Sequence, residues 1–273
     1  MTGSILLTGA AGRVGGLLRP LLLERYGRVV LSDIVEPTDL MPGEEYRKAN
    51  LADFDQVDAA CDGVDAVVHL GGQSVEADWA TVSRANIEGT YTVFEAARRR
   101  GISRVVFASS HHVDGMYERQ RRIGPDHRPR PDTRYGVSKV LGEALGSLYA
   151  DKYGLRVLSI RIGNVDTVPR DLRRLSVFVH PEDLMQLIVI GIESDAVHNQ
   201  VVFGISDNAR AFWDNSEAYR LGYSPKHRAD DHIDIAMAGE AEQDPSDPIA
   251  QRLQGASFAA LEFNGDIDRL TKS

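Results

Sequence analysis

Five strand-length apolar runs, residues 4–8, 28–32, 66–70, 104–109 and 156–162, are kept apart by stretches long enough to form helices. Crossovers of that length return the chain to the same end of a sheet and force parallel pairing, whereas a hairpin needs only a tight turn. The runs are nearly continuous in Val, Ile and Leu rather than alternating, the pattern of strands covered on both faces. Residues 14–26, 54–61, 79–100 and 135–153 carry the spacing of amphipathic helices. The expected fold class is therefore α/β, a Rossmann-type doubly wound parallel sheet, whose ligands gather beyond the carboxyl ends of the strands.

The chain has 273 residues, 42% of them hydrophobic, enough for the core of one α/β unit with a small appendage but not for two full domains. From Asn164 onward the pattern loosens, with a helix expected over 183–192 and a strand over 200–204. Residues 1–163 are read as the sheet core and 164–273 as a small C-terminal substrate-binding region, not an independent domain. A formal net charge of -9 runs against nucleic acid or an anionic membrane surface as partner. Cys61 is the only cysteine, so no internal disulfide forms and a reducing compartment is expected. No apolar run approaches the roughly 20 residues of a membrane helix. Met1 leads into the first strand without a leader pattern, and the expectation is a cytoplasmic protein. Residues 117–132 are read as a solvated loop that partly covers the substrate, and the acidic stretch 230–247 as surface.

Gly9-Ala10-Ala11-Gly12-Arg13-Val14-Gly15 follows the first strand and opens the first helix. In that context Gly9 permits the tight turn, Gly12 lets backbone approach a pyrophosphate, and Gly15 lets helix pack on strand. The helix N-terminus adds free N–H donors and a positive dipole. Asp33 ends the second strand where an acidic residue grips adenosine ribose hydroxyls, and its charge repels a 2′-phosphate. NAD is thus expected over NADP, with Ile34 following Asp33 and only Arg13 pulling toward a phosphate. Asn50 and Leu51 between the second and third runs, Leu70, Gly71 and Gly72 at the end of the 66–70 run, and Asn86 and Ile162 complete the expected cofactor site. His69, inside an apolar strand, is read as a satisfied core residue.

Tyr135 and Lys139 stand four apart on a predicted helix and so share one face. Ser110 stands at the end of the 104–109 run, which flanks the same crevice. Lowering a tyrosine pKa by roughly three units takes about 4 kcal/mol of preferential phenolate stabilisation. A lysine ammonium together with an oxidised nicotinamide ring can supply it. Ser110 would orient a substrate hydroxyl for proton loss to Tyr135. His111 and His112 lack convincing further ligands, and no metal is expected.

The glycine loop, Ser110 and Tyr135-Gly136-Val137-Ser138-Lys139 resemble the extended short-chain dehydrogenase/reductase superfamily. More specifically, 7–12, 69–72 with Ser74-Val75-Glu76, 107–110, Arg161-Ile162-Gly163, Trp213-Asp214-Asn215 and Gln254-Gly255 with Phe258 are similar to bacterial uronate dehydrogenases. Arg161-Ile162-Gly163-Asn164 and 204–208 are also similar to archaeal NAD-dependent glucose-6-phosphate dehydrogenases. The resemblance implies NAD-dependent oxidation of the anomeric hydroxyl of a hexuronate to a lactone, with Arg173 gripping the C6 carboxylate. The alternatives are a sugar-phosphate or neutral aldose 1-dehydrogenase and, on the same scaffold, a nucleotide-sugar epimerase or dehydratase. It carries over Ser74, Ser110, His112, Tyr135, Arg173 and Phe258 as substrate contacts. His111 stands where the uronate enzymes have asparagine and Asn164 where they have serine, both at positions that would touch sugar hydroxyls. Superfamily members commonly pair through their long helices, so a homo-oligomer is expected, with a sugar acid or sugar phosphate as ligand. Trp213 is read as packing.

Overall fold

The computed structural model describes residues 3–239 and 247–270; Met1 and the middle of the acidic stretch lie outside the described residues. Seven strands form one sheet in the order β3-β2-β1-β4-β5-β6-β9, and every pairing is parallel. They are β1 (Ser4–Thr8), β2 (Arg28–Asp33), β3 (Glu44–Lys48), β4 (Ala66–His69), β5 (Arg104–Ser110), β6 (Arg156–Ile162) and β9 (Asn199–Gly204). β7 (Asn164–Val165) and β8 (Phe178–Val179) form a separate two-stranded ladder beyond β6. The doubly wound parallel sheet is the one the apolar runs predicted. β3 departs from their pattern: its Glu-Glu-Tyr-Arg-Lys sequence is charged because it is an edge strand, where charge keeps other chains from pairing.

α1 (Arg13–Tyr26) and α7 (Pro181–Glu193) cover one face, burying Leu18, Leu22, Leu184 and Leu187 against Leu7, Val68 and Leu158. α2 (Phe54–Ala60), α4 (Gly89–Arg99) and α5 (Arg134–Tyr153) cover the other around Val93, Phe94, Phe107 and Tyr149. Helix 79–100 is not uniform. α3 (Trp79–Val82) and α4 are joined through a turn of π-helix, Ser83–Glu88, the wider winding often found beside functional sites.

Residues 117–132 form a largely solvent-accessible loop, as expected, but one anchored by two buried side chains. Tyr117 and Ile123 are buried with Phe203, Phe212 and Trp213, and the Arg121 and Arg130 guanidiniums lie 5.1 and 5.0 Å from the Tyr117 ring centre. Their charged side chains flank an aromatic anchor that polarity alone does not reveal. Trp213 packs as expected, stacked on Phe203 with ring centres 5.0 Å apart, and its indole N–H donates to Gln254 Oε1 at 2.8 Å.

Candidate active site

β1 leads into Gly9, whose φ of +72° is open to glycine at little cost, and the chain turns into α1 with Gly12 as its N-terminal boundary. No side chain caps that end, and Arg13 and Val14 of its first turn line the cleft. A Cβ on Gly9 would fall 2.7 Å from the Gly71 nitrogen, and one on Gly15 would fall 2.4 Å from the Gly9 oxygen. This is the close backbone approach that a pyrophosphate needs at a helix N-terminus. Asp33 Oδ2 accepts from Ala11 N at 3.0 Å and Oδ1 from Ile34 N at 2.7 Å, tying the glycine loop to the rim beyond β2. Gly9, Asp33, Ile34, Asn50, Leu51, Leu70, Gly71 and Gly72 line one continuous recess. These residues fit a dinucleotide.

Arg13, which seemed free to meet a phosphate, instead pairs with Asp166 at 2.7 Å, linking the glycine loop to the segment after β6. Asn86 lies behind the cleft wall: its side chain bonds Gln73 through both backbone groups and donates to Ser138 Oγ at 2.9 Å. His69 is a satisfied core residue as expected, bonded to Thr8 Oγ1 at 2.7 Å, and burial lowers its pKa to about 3.

The reacting half of the cleft opens at the carboxyl ends of β5 and β6. Ser109 Oγ donates to Glu143 at 2.6 Å. Ser110 Oγ accepts from His112 N at 3.2 Å, and Ser110 and Tyr135 line the same end of the cleft. α5 starts at the Thr133 cap, whose hydroxyl accepts from Gly136 N at 3.0 Å, and the Tyr135 N–H donates to Glu76 at 2.9 Å. Lys139, one turn on, donates from Nζ to Ala108 O at 2.8 Å and lies 5.6 Å from the Tyr135 ring centre. Burial pushes Lys139 down to about 8. Burial also pushes the Tyr135 phenol up, against the pull of Ser110. Desolvation outweighs the neighbouring side chains, so the expected lowering of the phenol requires the charge of an oxidised nicotinamide ring beside that of Lys139.

Ser74, Ser110, His111, His112, Tyr135, Lys139, Ile162, Asn164, Arg173 and Phe258 converge on this half, with Arg13 and Val14 at its edge. His111 is buried, neither ring nitrogen has a hydrogen-bond partner, and burial then His112 lower its pKa so that it is neutral. In the arginine cluster, Arg170 pairs with Asp166 and Arg174 with Asp171. Arg173 makes no ion pair among the described residues: Nη2 donates to Gln254 O at 3.3 Å and Nε is buried without a partner. Burial lowers it to about 10, still a cation. A cleft with a tyrosine, a serine hydroxyl and a lysine at one end and an unpaired guanidinium along its wall suits proton abstraction from an alcohol that also carries an anion.

Sequence reasoning missed Glu76, which anchors the start of α5, and Gln73 and Ser257, which line the cleft. It also missed Asp132, whose carboxylate bonds His112. Nothing in spacing marks them; contacts between distant segments do. His180, Glu182 and His227 offer three ligand atoms within 4.8 Å of one another, but none lines the cleft. His180 already caps α7, and Glu182 already bonds His227 at 3.0 Å.

Residues 5–168 match the model of the NAD dependent epimerase/dehydratase family. The uronate dehydrogenase of Pseudomonas syringae pv. tomato is 40% identical over 264 residues, covering 96% of this chain and 95% of that one. The NAD-dependent glucose-6-phosphate dehydrogenase of Haloferax volcanii is 36% identical over 262 residues, covering 88% and 98%. A crystal structure of a mutant uronate dehydrogenase from Agrobacterium tumefaciens complexed with NAD superposes with a TM-score of 0.90 at 37% identity, covering 94% of this chain and 97% of that one.

Proposed function

The chain belongs to the NAD dependent epimerase/dehydratase family as a uronate dehydrogenase-like member, and from that premise we propose that it oxidises the anomeric hydroxyl of a hexuronate to the lactone. The observation that carries this is Arg173, a cation without an ion pair in the same cleft as Ser110, Tyr135 and Lys139. Bound NAD supplies the hydride acceptor and, oxidised, a positively charged ring. The glycine loop from Gly9 to Gly15 holds its pyrophosphate and Asp33 its adenosine ribose, while Asn50, Leu51 and Leu70 to Gly72 flank it. Asn86 supports that wall from behind.

Ser110 orients the sugar O1–H. Tyr135 takes its proton as the C1–H bond gives up its electron pair, and O1 becomes the lactone carbonyl. Lys139 favours the phenolate electrostatically and holds the nicotinamide ribose. Arg173 holds the C6 carboxylate, which fixes which carbon faces Tyr135. Ser74, His111, His112, Asn164 and Phe258 surround the ring, His111 as a neutral group with both nitrogens available. Residues 164–273 act as the sugar-binding part of the single unit built on 1–163. We further propose a homo-oligomer through the α4 and α5 faces, where Tyr91, Leu148 and Tyr153 are exposed, and a cytoplasmic location, in keeping with the single buried Cys61. Among the described residues no helix is long and apolar enough to cross a membrane.

The test is NADH formation with glucuronate, galacturonate, glucose 6-phosphate and neutral aldoses. Turnover of the uronates above the others is expected, and preference for the phosphate or neutral sugars would overturn the substrate assignment. A charged hydrogen bond contributes about 1.5–3 kcal/mol. Arg173→Ala should therefore raise KM for uronates about ten- to a hundredfold and leave neutral aldoses nearly unchanged; an equal rise for both would remove the anion-binding role. The cofactor half has its own test. Gly15→Ala puts a methyl into the Gly9 carbonyl, and overpacking of this kind costs about 1–3 kcal/mol. NAD affinity, read by fluorescence titration, is expected to fall about tenfold, and unchanged affinity would show that the loop does not need this contact.

A further inference from the structure

The Asp132 carboxylate is fully enclosed and is placed by parts of the chain far apart in sequence. Its Oδ2 meets His112 Nδ1 at 2.7 Å, and its Oδ1 accepts from the Thr133 hydroxyl at 2.9 Å. The slot that holds it is walled by glycine backbone: a Cβ on Gly115 or on Gly255 would lie 1.8 or 2.0 Å from Oδ2. Gly255 N donates to Gly115 O at 2.8 Å, closing the slot. Beyond it the chain passes Ala256, a non-glycine residue at φ 52° and ψ -123°, a costly conformation that the surrounding contacts must hold. That turn delivers Phe258, which stacks on the His112 ring with centres 4.1 Å apart and 21° between planes. The same imidazole meets Tyr135 edge-on at 5.9 Å. His112 is thus gripped on one face by Phe258 and at one nitrogen by Asp132, and its ring lines the cleft.

We propose that Asp132 is a positioning residue: it keeps a proton of the His112 ring on Nδ1, so that, where this is the ring's single proton, Nε2 presents a lone pair to the cleft as the acceptor for a substrate hydroxyl. The chemical basis is the donor–acceptor inventory. A carboxylate only accepts, so the imidazole nitrogen facing it carries the proton, and in a neutral ring the other nitrogen is then bare. A buried carboxylate fixing an imidazole's tautomer and orientation is a recurrent device where a histidine must act in one direction only. The hydroxyl-acceptor half of the proposal rests on the sugar-oxidising reading above; the tautomer half does not.

The test is Asp132→Asn, isosteric and so compatible with the glycine slot. Thr133 donates to Oδ1 and keeps the amide oxygen there, which turns the amide NH2 toward His112. That group donates, so Nδ1 must become bare and the proton move to Nε2. Two-bond 15N–1H correlation spectra of the ligand-free proteins read this directly, with the His112 signals assigned by their loss in His112→Gln. The expected wild-type state is Nδ1–H with bare Nε2, and the expected variant state is the reverse. With the substrate from the sugar panel, kcat/KM should fall about tenfold or more while NAD affinity and Tm stay near wild type. A wild-type ring protonated on Nε2 overturns the proposal whether or not the variant folds, as does a folded variant with kcat/KM within twofold of wild type. If the wild-type protein oxidises no sugar in the panel, the functional reading fails, the acceptor role falls with it, and the spectra alone decide the tautomer.

Discussion

Tyr135→Phe is expected to lower turnover by about 10²–10⁴-fold, the usual contribution of a positioned general base, while NAD affinity stays within about twofold. The phenol oxygen is the acceptor proposed for the O1 proton: Tyr135 shares one face of α5 with Lys139, whose Nζ lies 5.6 Å from its ring centre, and Ser110 lines the same end of the cleft. Lys139 is committed to Ala108 O through one of its hydrogens and cannot accept a proton as an ammonium. Nothing in the glycine loop or at Asp33 touches Tyr135, which is why the cofactor half should be indifferent to the change. Single-turnover NADH formation with the preferred sugar, set beside a fluorescence titration with NAD, separates the two effects. Retention of more than a tenth of wild-type turnover would remove Tyr135 as the base.

The largest expected loss of stability comes from Arg161→Met. Arg161 is almost completely buried on β6 and grips Glu143 with Nε and Nη2 at 2.9 and 2.8 Å and Asp114 with Nη1 at 2.8 Å. Glu143 also takes the Ser109 hydroxyl, so one guanidinium balances two carboxylates directly beneath the strand that carries Ser110. Removing one partner of a buried pair leaves uncompensated charge and costs about 3–5 kcal/mol. For a chain of this size that is on the order of 10 °C in Tm. The pH dependence has a definite sign. Even with Arg161 present, burial pushes Asp114 up to about 7; without it the Asp114 carboxyl holds its proton more tightly still. A group whose folded-state pKa lies above its unfolded value costs stability as pH rises through the folded value. The variant's deficit in Tm should therefore be larger at mildly alkaline than at mildly acid pH. A deficit under about 1 kcal/mol, the ordinary cost of a point substitution, would mean that the network is solvated and contributes little.

What the sequence disclosed follows from the range over which each signal acts. The strands, the glycine loop and the Tyr135–Lys139 pair are written in short windows, through apolar continuity, a turn and a one-turn helical spacing. β3 is an edge strand, so its charges hide it from an apolar scan. Residues 117–132 have the composition of a solvated loop, yet Tyr117 and Ile123 anchor them in a cluster with Phe203 and Trp213. Arg173 could not be told from Arg170 or Arg174 by composition; only the fold gives Asp166 and Asp171 to its neighbours and leaves it facing the cleft. Asn86 was legible as belonging near the nucleotide but not as a strut behind the wall. The acidity of Tyr135 depends on desolvation, which no spacing encodes.

The π-turn over Ser83–Glu88 gives the first long crossover helix a different tolerance to insertion and deletion from its neighbours. Loss of one residue there would restore an ordinary α-helical winding without turning the flanking segments, because the six residues of the wider turn advance about as far around the axis as five in an α-helix. Asn86 would leave Gln73 and Ser138, and the turn at Gly72 would lose its strut. A length change of one residue in this segment would therefore act on the cleft locally, through Asn86, while the helix on either side kept its face, so the extra residue is tied to the shape of the nucleotide wall rather than to the packing of the helix.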